Sequence, residues 1–80
     1  MNEIELKVLE ILSEVSKIPR SELDRNRSVE SLGLDSLDSL DTMMKLEDAF
    51  SVELDAARFS LCMHVGDLIS EIETFVGHKS

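Results

Sequence analysis

Aromatic side chains are scarce: the 80 residues hold three phenylalanines and neither tryptophan nor tyrosine. That removes the stacking platforms on which single-stranded nucleic acids are usually held. Positive charge is short as well, with 8 lysines and arginines against 17 acidic residues and a formal net charge of -9. Such a field repels phosphate backbones and anionic headgroups, so nucleic acid is not an expected partner, while proteins with a basic patch are drawn in. The lone cysteine, Cys62, can close no internal disulfide and has no second cysteine with which to build a zinc knuckle, which fits a reducing compartment. No apolar run approaches the ~20 residues needed to span a bilayer, and MNEIELKVLEIL lacks the basic region and apolar core of a secretory signal. A cytoplasmic, monomeric protein without membrane insertion is expected.

Helical periodicity is what the chain has in quantity. Ile4, Val8, Ile11, Leu12 and Val15 recur at three- and four-residue steps across residues 3 to 16, and Ile18-Pro19 is expected to end that first helix. Lys17 to Arg27 carries a local excess of positive charge and reads as a long ordered loop, its far end pinned to the core by Val29 and Leu32. Gly33 permits a tight bend through positive φ. A second helix should begin at Asp35 or Ser36, where a short polar side chain can accept from exposed backbone N–H groups, and run to Phe50 or Ser51. Leu54 to Leu61 suits a short helix or turn. A last helix follows from Val65 to Val76, with Asp67 in its first turn, Val65, Leu68, Ile69 and Ile72 inward and Gly77 as its stop. One domain over residues 1–80 is expected, all-α, a small bundle of three longer helices plus one short helix, with the long loop between helices one and two.

Helix two has more apolar residues than a core stripe needs. Met43, Leu46 and Phe50 form one cluster, expected inward; Leu37, Leu40 and Met44 form another, rotated by roughly a third of a turn. Asp41, Glu47 and Asp48 frame the second cluster. It is either the margin of a broadly buried helix or a docking surface, with apolar contact, adaptable methionine and carboxylates for steering.

The segment GLDSLDSLD places two serines, Ser36 and Ser39, in near-identical surroundings. Neither has the trailing glycine of a nucleophile elbow or a patterned histidine partner, so serine catalysis is not expected. Asp35, Asp38 and Asp41 do not form the Asp-x-Asp-x-Asp-Gly loop of a calcium site, and no metal is expected. A serine at a helix start behind a glycine bend is suited to being modified, since an attached phosphodiester would meet the positive end of the helix dipole.

Leu32-Gly33-Leu34-Asp35-Ser36-Leu37 resembles the LGxDSL signature of the acyl carrier proteins, and Leu46-Glu47-Asp48-Ala49-Phe50 with Glu53-Leu54 resembles the family's LEEEF and following EI segments. The resemblance implies that Ser36 carries 4′-phosphopantetheine, donated by coenzyme A, whose thiol holds acyl groups as thioesters. The register selects Ser36 over Ser39: glycine falls three residues before it and phenylalanine fourteen after, as in the family. It further implies a non-enzymatic carrier for fatty acid, polyketide or related lipid synthesis, loaded by a phosphopantetheinyl transferase with help from Asp35. Its partners would be synthases, reductases, dehydratases or acyltransferases with basic patches, docked through Leu37, Asp38, Leu40, Asp41, Met44, Glu47 and Asp48. Rival readings are a carrier of aminoacyl or peptidyl groups and an acidic helical interaction module with no prosthetic group.

Several positions depart from the family pattern. Thr42 stands where an apolar residue usually lines the acyl cavity, and Phe59 where a small one is usual, so a reshaped cavity is expected. Arg58 adds positive charge to a generally acidic segment, Asp55 replaces a frequent proline, and Met63-His64 replaces the threonines that commonly cap the last helix. Cys62 falls at an apolar position and reads as a buried structural thiol, and His64 as an indifferent cap residue.

Overall fold

Four α-helices account for the periodic segments in a computed structural model that describes residues 3–77: α1 (Glu3–Ser16), α2 (Ser36–Phe50), α3 (Ala56–Ser60) and α4 (Val65–Gly77). Among the described residues the only extended pairing is an isolated bridge between Ser28 and His64. The architecture is the expected all-α bundle of three longer helices and one short one. α1 lies against both α2 and α4, and the shared core centres on Val8, Leu12, Leu46, Val65, Ile69 and Ile72, all fully buried.

α1 buries Val8, Leu9, Ile11 and Leu12, while Ile4 and Val15 only pack against the core edge. It ends at Ser16, where the apolar periodicity was expected to stop, but the device that ends it is not the Ile18-Pro19 pair. Lys17 turns left-handed at φ 65° and donates its N–H back to Ser13 O at 2.8 Å, so the helix is already closed at Ser16, before Pro19 can act. Ser13 Oγ then donates to Ile18 O at 2.7 Å, and Ile18 N donates to Ser16 Oγ at 3.2 Å. Two serines therefore take up backbone groups that the departing chain leaves open.

The long loop is held at several points and contains two 3₁₀ turns, Arg20–Glu22 and Glu30–Leu32. Leu23 and Leu32 are its buried anchors, whereas Val29, expected to share that role, packs only at the core margin. Its backbone is laced to the start of α4: Val29 N donates to Met63 O, Val65 N to Arg27 O and Gly66 N to Arg25 O, at 2.8 to 2.9 Å. A Cβ at Gly66 would lie 3.1 Å from Arg25 O, so the loop and helix meet at a distance that the missing side chain permits.

α2 turns the expected face inward, shifted so that Thr42 lies on it. Leu46 is buried as anticipated, but Met43 and Phe50 reach only the core margin, and the second buried residue is Thr42, 1% exposed. Its hydroxyl donates to Asp38 O at 2.8 Å, one turn back, which satisfies the polar atom inside its own helix. The rest of the side chain then packs as a valine would.

Candidate functional site

The chain enters α2 through Gly33, left-handed at φ 70° and ψ 24°, with nothing within 4 Å of where a Cβ would stand. Glycine is needed there for its backbone torsion and not for space. Asp35 is the helix cap, its Oδ1 accepting from Asp38 N at 2.8 Å while its carbonyl accepts from Ser39 N at 2.9 Å. That division of labour leaves Ser36 as the first helical residue, exposed and with no part in the cap. The N–H groups of Ser36 and Leu37 belong to the opening turn, where no intrahelical acceptor exists and the helix dipole is positive.

Ser39 lies one turn on and is half-buried, on the wall of an open groove of about 400 Å³ between α2 and α3. Leu40 and Met43 line its α2 side, Ala56 and Phe59 its α3 side, with Cys62 at the far end. Ser39 faces this groove, and Thr42 takes the core position. Phe59 is half-buried, so a bulky ring forms the α3 wall. Cys62 is half-buried too and not the sealed thiol anticipated from its position. Its Sγ lies 3.7 Å from Arg58 O as a weak donor, and burial, then Glu71 and Asp67, push its pKa up, with Arg58 opposing. The thiol is therefore held protonated and poorly nucleophilic at neutral pH.

The second cluster of α2 stands clear of the core. Leu37, Leu40 and Met44 are 76%, 49% and 56% exposed, and Asp41 and Asp48 beside them are exposed. Asp38 and Glu47 are half-buried. Glu47 Oε2 accepts from Leu54 N at 2.8 Å, so part of this carboxylate holds the chain after α2 in place. Lys45 reaches across to Glu14 at 3.2 Å, and that hydrogen bond, then the charge of Asp41, favours its ammonium form. Its positive charge is thereby drawn toward α1 and away from the acidic frame. Leu61 and Met63, 76% and 70% exposed on the turn after α3, form an apolar edge that periodicity had not isolated. Their signal was the run Leu61-Cys62-Met63 with nothing to assign it to a helix face. Asp35, Asp38 and Asp41 do not converge: among the described residues no three histidine, cysteine or acidic side chains are placed to hold a metal ion.

A family model for the phosphopantetheine attachment site matches residues 6–72, which takes in the glycine bend, the exposed serine and the whole groove. The chain belongs to the acyl carrier family. It is 37% identical to an acyl carrier protein of Thermotoga maritima over 76 residues, 94% of either chain. A crystal structure of an acyl carrier protein from the same organism superposes with a TM-score of 0.80 at 26% identity, covering 100% of both chains. It is also 34% identical over 79 residues to orsellinic acid synthase ArmB of Armillaria ostoyae, where it spans 98% of this chain but 4% of that protein's length.

The prosthetic group of this family is 4′-phosphopantetheine, and the α2 entry suits it. When bound, the group supplies a terminal thiol on which acyl chains ride as thioesters. An exposed hydroxyl at the first helical position would put a phosphodiester beside backbone N–H groups and the positive dipole end, although Asp35 and Asp38 oppose part of that attraction.

Proposed function

We propose that this acyl carrier holds its cargo on an arm attached to Ser36, and that it acts by presenting acyl groups to other enzymes and not by catalysis of its own. One observation supports this choice above the others: of the two serines, Ser36 is the exposed one and is excluded from the cap by Asp35, whereas Ser39 is turned into the groove. Asp35 uses one carboxylate oxygen on Asp38 N, and we assign its other oxygen to the loading step, at the metal ion of the visiting transferase. Residues 1–80 act as one carrier unit in fatty acid or polyketide synthesis, in a cytoplasmic, reducing setting that suits the lone thiol of Cys62.

Docking uses the outward face of α2. Leu37, Leu40 and Met44 supply apolar contact, and Asp38, Asp41, Glu47 and Asp48 steer basic patches on the transferase and on synthases, reductases, dehydratases or acyltransferases. Incubation of the apo chain with coenzyme A and a broad-specificity phosphopantetheinyl transferase tests the attachment. Mass spectrometry should show a gain of one phosphopantetheine unit, retained in Ser39→Ala and abolished in Ser36→Ala. A gain that survives Ser36→Ala moves the arm elsewhere and ends the proposal.

A further inference from the structure

α3 is five residues long and none of its residues is buried. A helix of that length has no stability of its own, so its position depends on what holds it from outside. Asp55 caps its start, with Oδ1 accepting from Ala57 N at 2.8 Å, and Phe59 packs at the core margin. Leu54 before it is buried, and Cys62 after it packs at the core margin, so both ends are anchored. The hold on the helix body toward α4 is electrostatic. Arg58 Nη2 lies 3.1 Å from Glu71 Oε1 on α4, a link between two elements that share little else. The partners are unequal: the Arg58 side chain is 59% exposed, that of Glu71 13%. Glu71 Oε1 is sealed from solvent and has no aligned hydrogen-bond donor, so the guanidinium charge is its compensation. Removing the cation would leave a buried carboxylate oxygen uncompensated, which is far more costly than loss of a surface pair.

We propose that Arg58 and Glu71 form a latch that fixes α3 against α4 and thereby sets how readily the α2–α3 groove admits an apolar chain. Ala56 and Phe59 are the groove's α3 wall. When the pair is closed, Arg58 cannot swing away without exposing Glu71, and the residues beside it in α3 stay in place. When it is open, α3 keeps its cap, the Phe59 ring and the anchors at its two ends, and the wall between them is freer to move outward. Arg58 is thus a positioning residue that touches no cargo and acts through Phe59. The latch itself does not rest on the carrier reading; only the identity of the chain it would admit, an acyl group tethered at Ser36, does.

The test uses the 80-residue apo chain, so that failure of Ser36 loading has no bearing on it. Amide hydrogen exchange reads the latch at Phe59, Leu61 and Cys62, whose N–H groups donate to Asp55 O, Arg58 O and Phe59 O. Arg58→Gln and Glu71→Gln are each expected to speed exchange at these three amides by about tenfold while the buried segments of α1 and α4 keep their rates. The uncharged apolar dye N-phenyl-1-naphthylamine should bind both variants more tightly in the same proportion, because the open form is more populated. Arg58→Lys, which keeps the charge on a contact made through one nitrogen, should stay within about twofold of the parent chain. Unchanged exchange in α3, an equal acceleration in every helix, dye binding that ignores the loosened helix, or Arg58→Lys behaving like Arg58→Gln would each overturn the latch.

Discussion

Two serines three positions apart differ because one carboxylate lies next to the first of them. Asp35 takes the cap, so Ser36 keeps its hydroxyl for solvent, and Ser39 follows the helix into the groove. Gly33 sets up that arrangement through torsion alone, since the space around it is open. Gly33→Ala should therefore cost about 1 kcal/mol, the strain of a left-handed residue with a Cβ, and Gly33→Asn less than that. Urea unfolding of the three chains checks the order. At the start of α4, the carboxylate of Asp67 accepts from His64 N at 2.9 Å and from Met63 N at 3.0 Å, and these bonds hold its pKa below the usual range. A group depressed in the folded state stabilises above its unfolded pKa, about 3.9, and loses that contribution as pH falls through the lower folded value. Melting temperatures of the parent chain and Asp67→Asn, compared from pH 7 down to pH 3, should therefore differ most at neutral pH. The gap should close at the acidic end; one that is flat across the range would assign the carboxylate no such role. His64, placed 3.7 Å from Asp67 through Nδ1, contributes mainly through its backbone N–H, in keeping with an ordinary cap position.

α2 separates stability from the proposed docking role by angle. Leu46 is fully buried, so Leu46→Ala should cost about 2–5 kcal/mol. Leu37→Ala and Met44→Ala remove side chains that stand mostly in water, and the expected change in folding free energy is within about 0.5 kcal/mol. The same two variants should slow loading by the transferase, and Asp41→Lys with Asp48→Lys should slow it further while flattening its dependence on salt. A loss of stability in step with the loss of loading would make this face part of the core. The long helices were legible because α1, α2 and α4 each repeat their apolar spacing over three turns or more. The place of Thr42 on the inward face of α2 was missed because threonine counts as polar in any sequence pattern, and only the fold shows that its hydroxyl is satisfied one turn back. The two 3₁₀ turns and the termination of α1 at Lys17 carry no periodic signal at all, being set by single torsions and serine hydrogen bonds.

At the scale of the whole molecule, the proposed attachment site was legible as local chemistry, a glycine bend, a cap and a serine in adjacent positions, whereas the groove and the Arg58–Glu71 pair were not. Those two features join α2 to α3 and α3 to α4 across loops whose course no spacing rule encodes. Charge is the one global property that passes directly from sequence to behaviour. The formal net charge of -9 is gathered on a body measuring 32 × 27 × 19 Å. At low ionic strength the Debye length, about 30 Å at 0.01 M, spans this body and every carboxylate repels the rest; at 0.15 M it falls to about 8 Å. Salt also weakens the favourable pairs of Lys7 with Glu10, Arg25 with Glu5, Lys45 with Glu14 and Arg58 with Glu71. The two effects have opposite signs. Exposed pairs contribute little each, about 0–1 kcal/mol, and 17 acidic residues outnumber the 8 basic ones, so relief of repulsion should prevail. Thermal unfolding at neutral pH should accordingly show the melting temperature rising as sodium chloride is raised from 0.01 M to 0.15 M. A fall over that range would mean that the pairs outweigh the net charge. The acidic surface would then be a stabilising network and not a cost borne for the sake of steering basic partners.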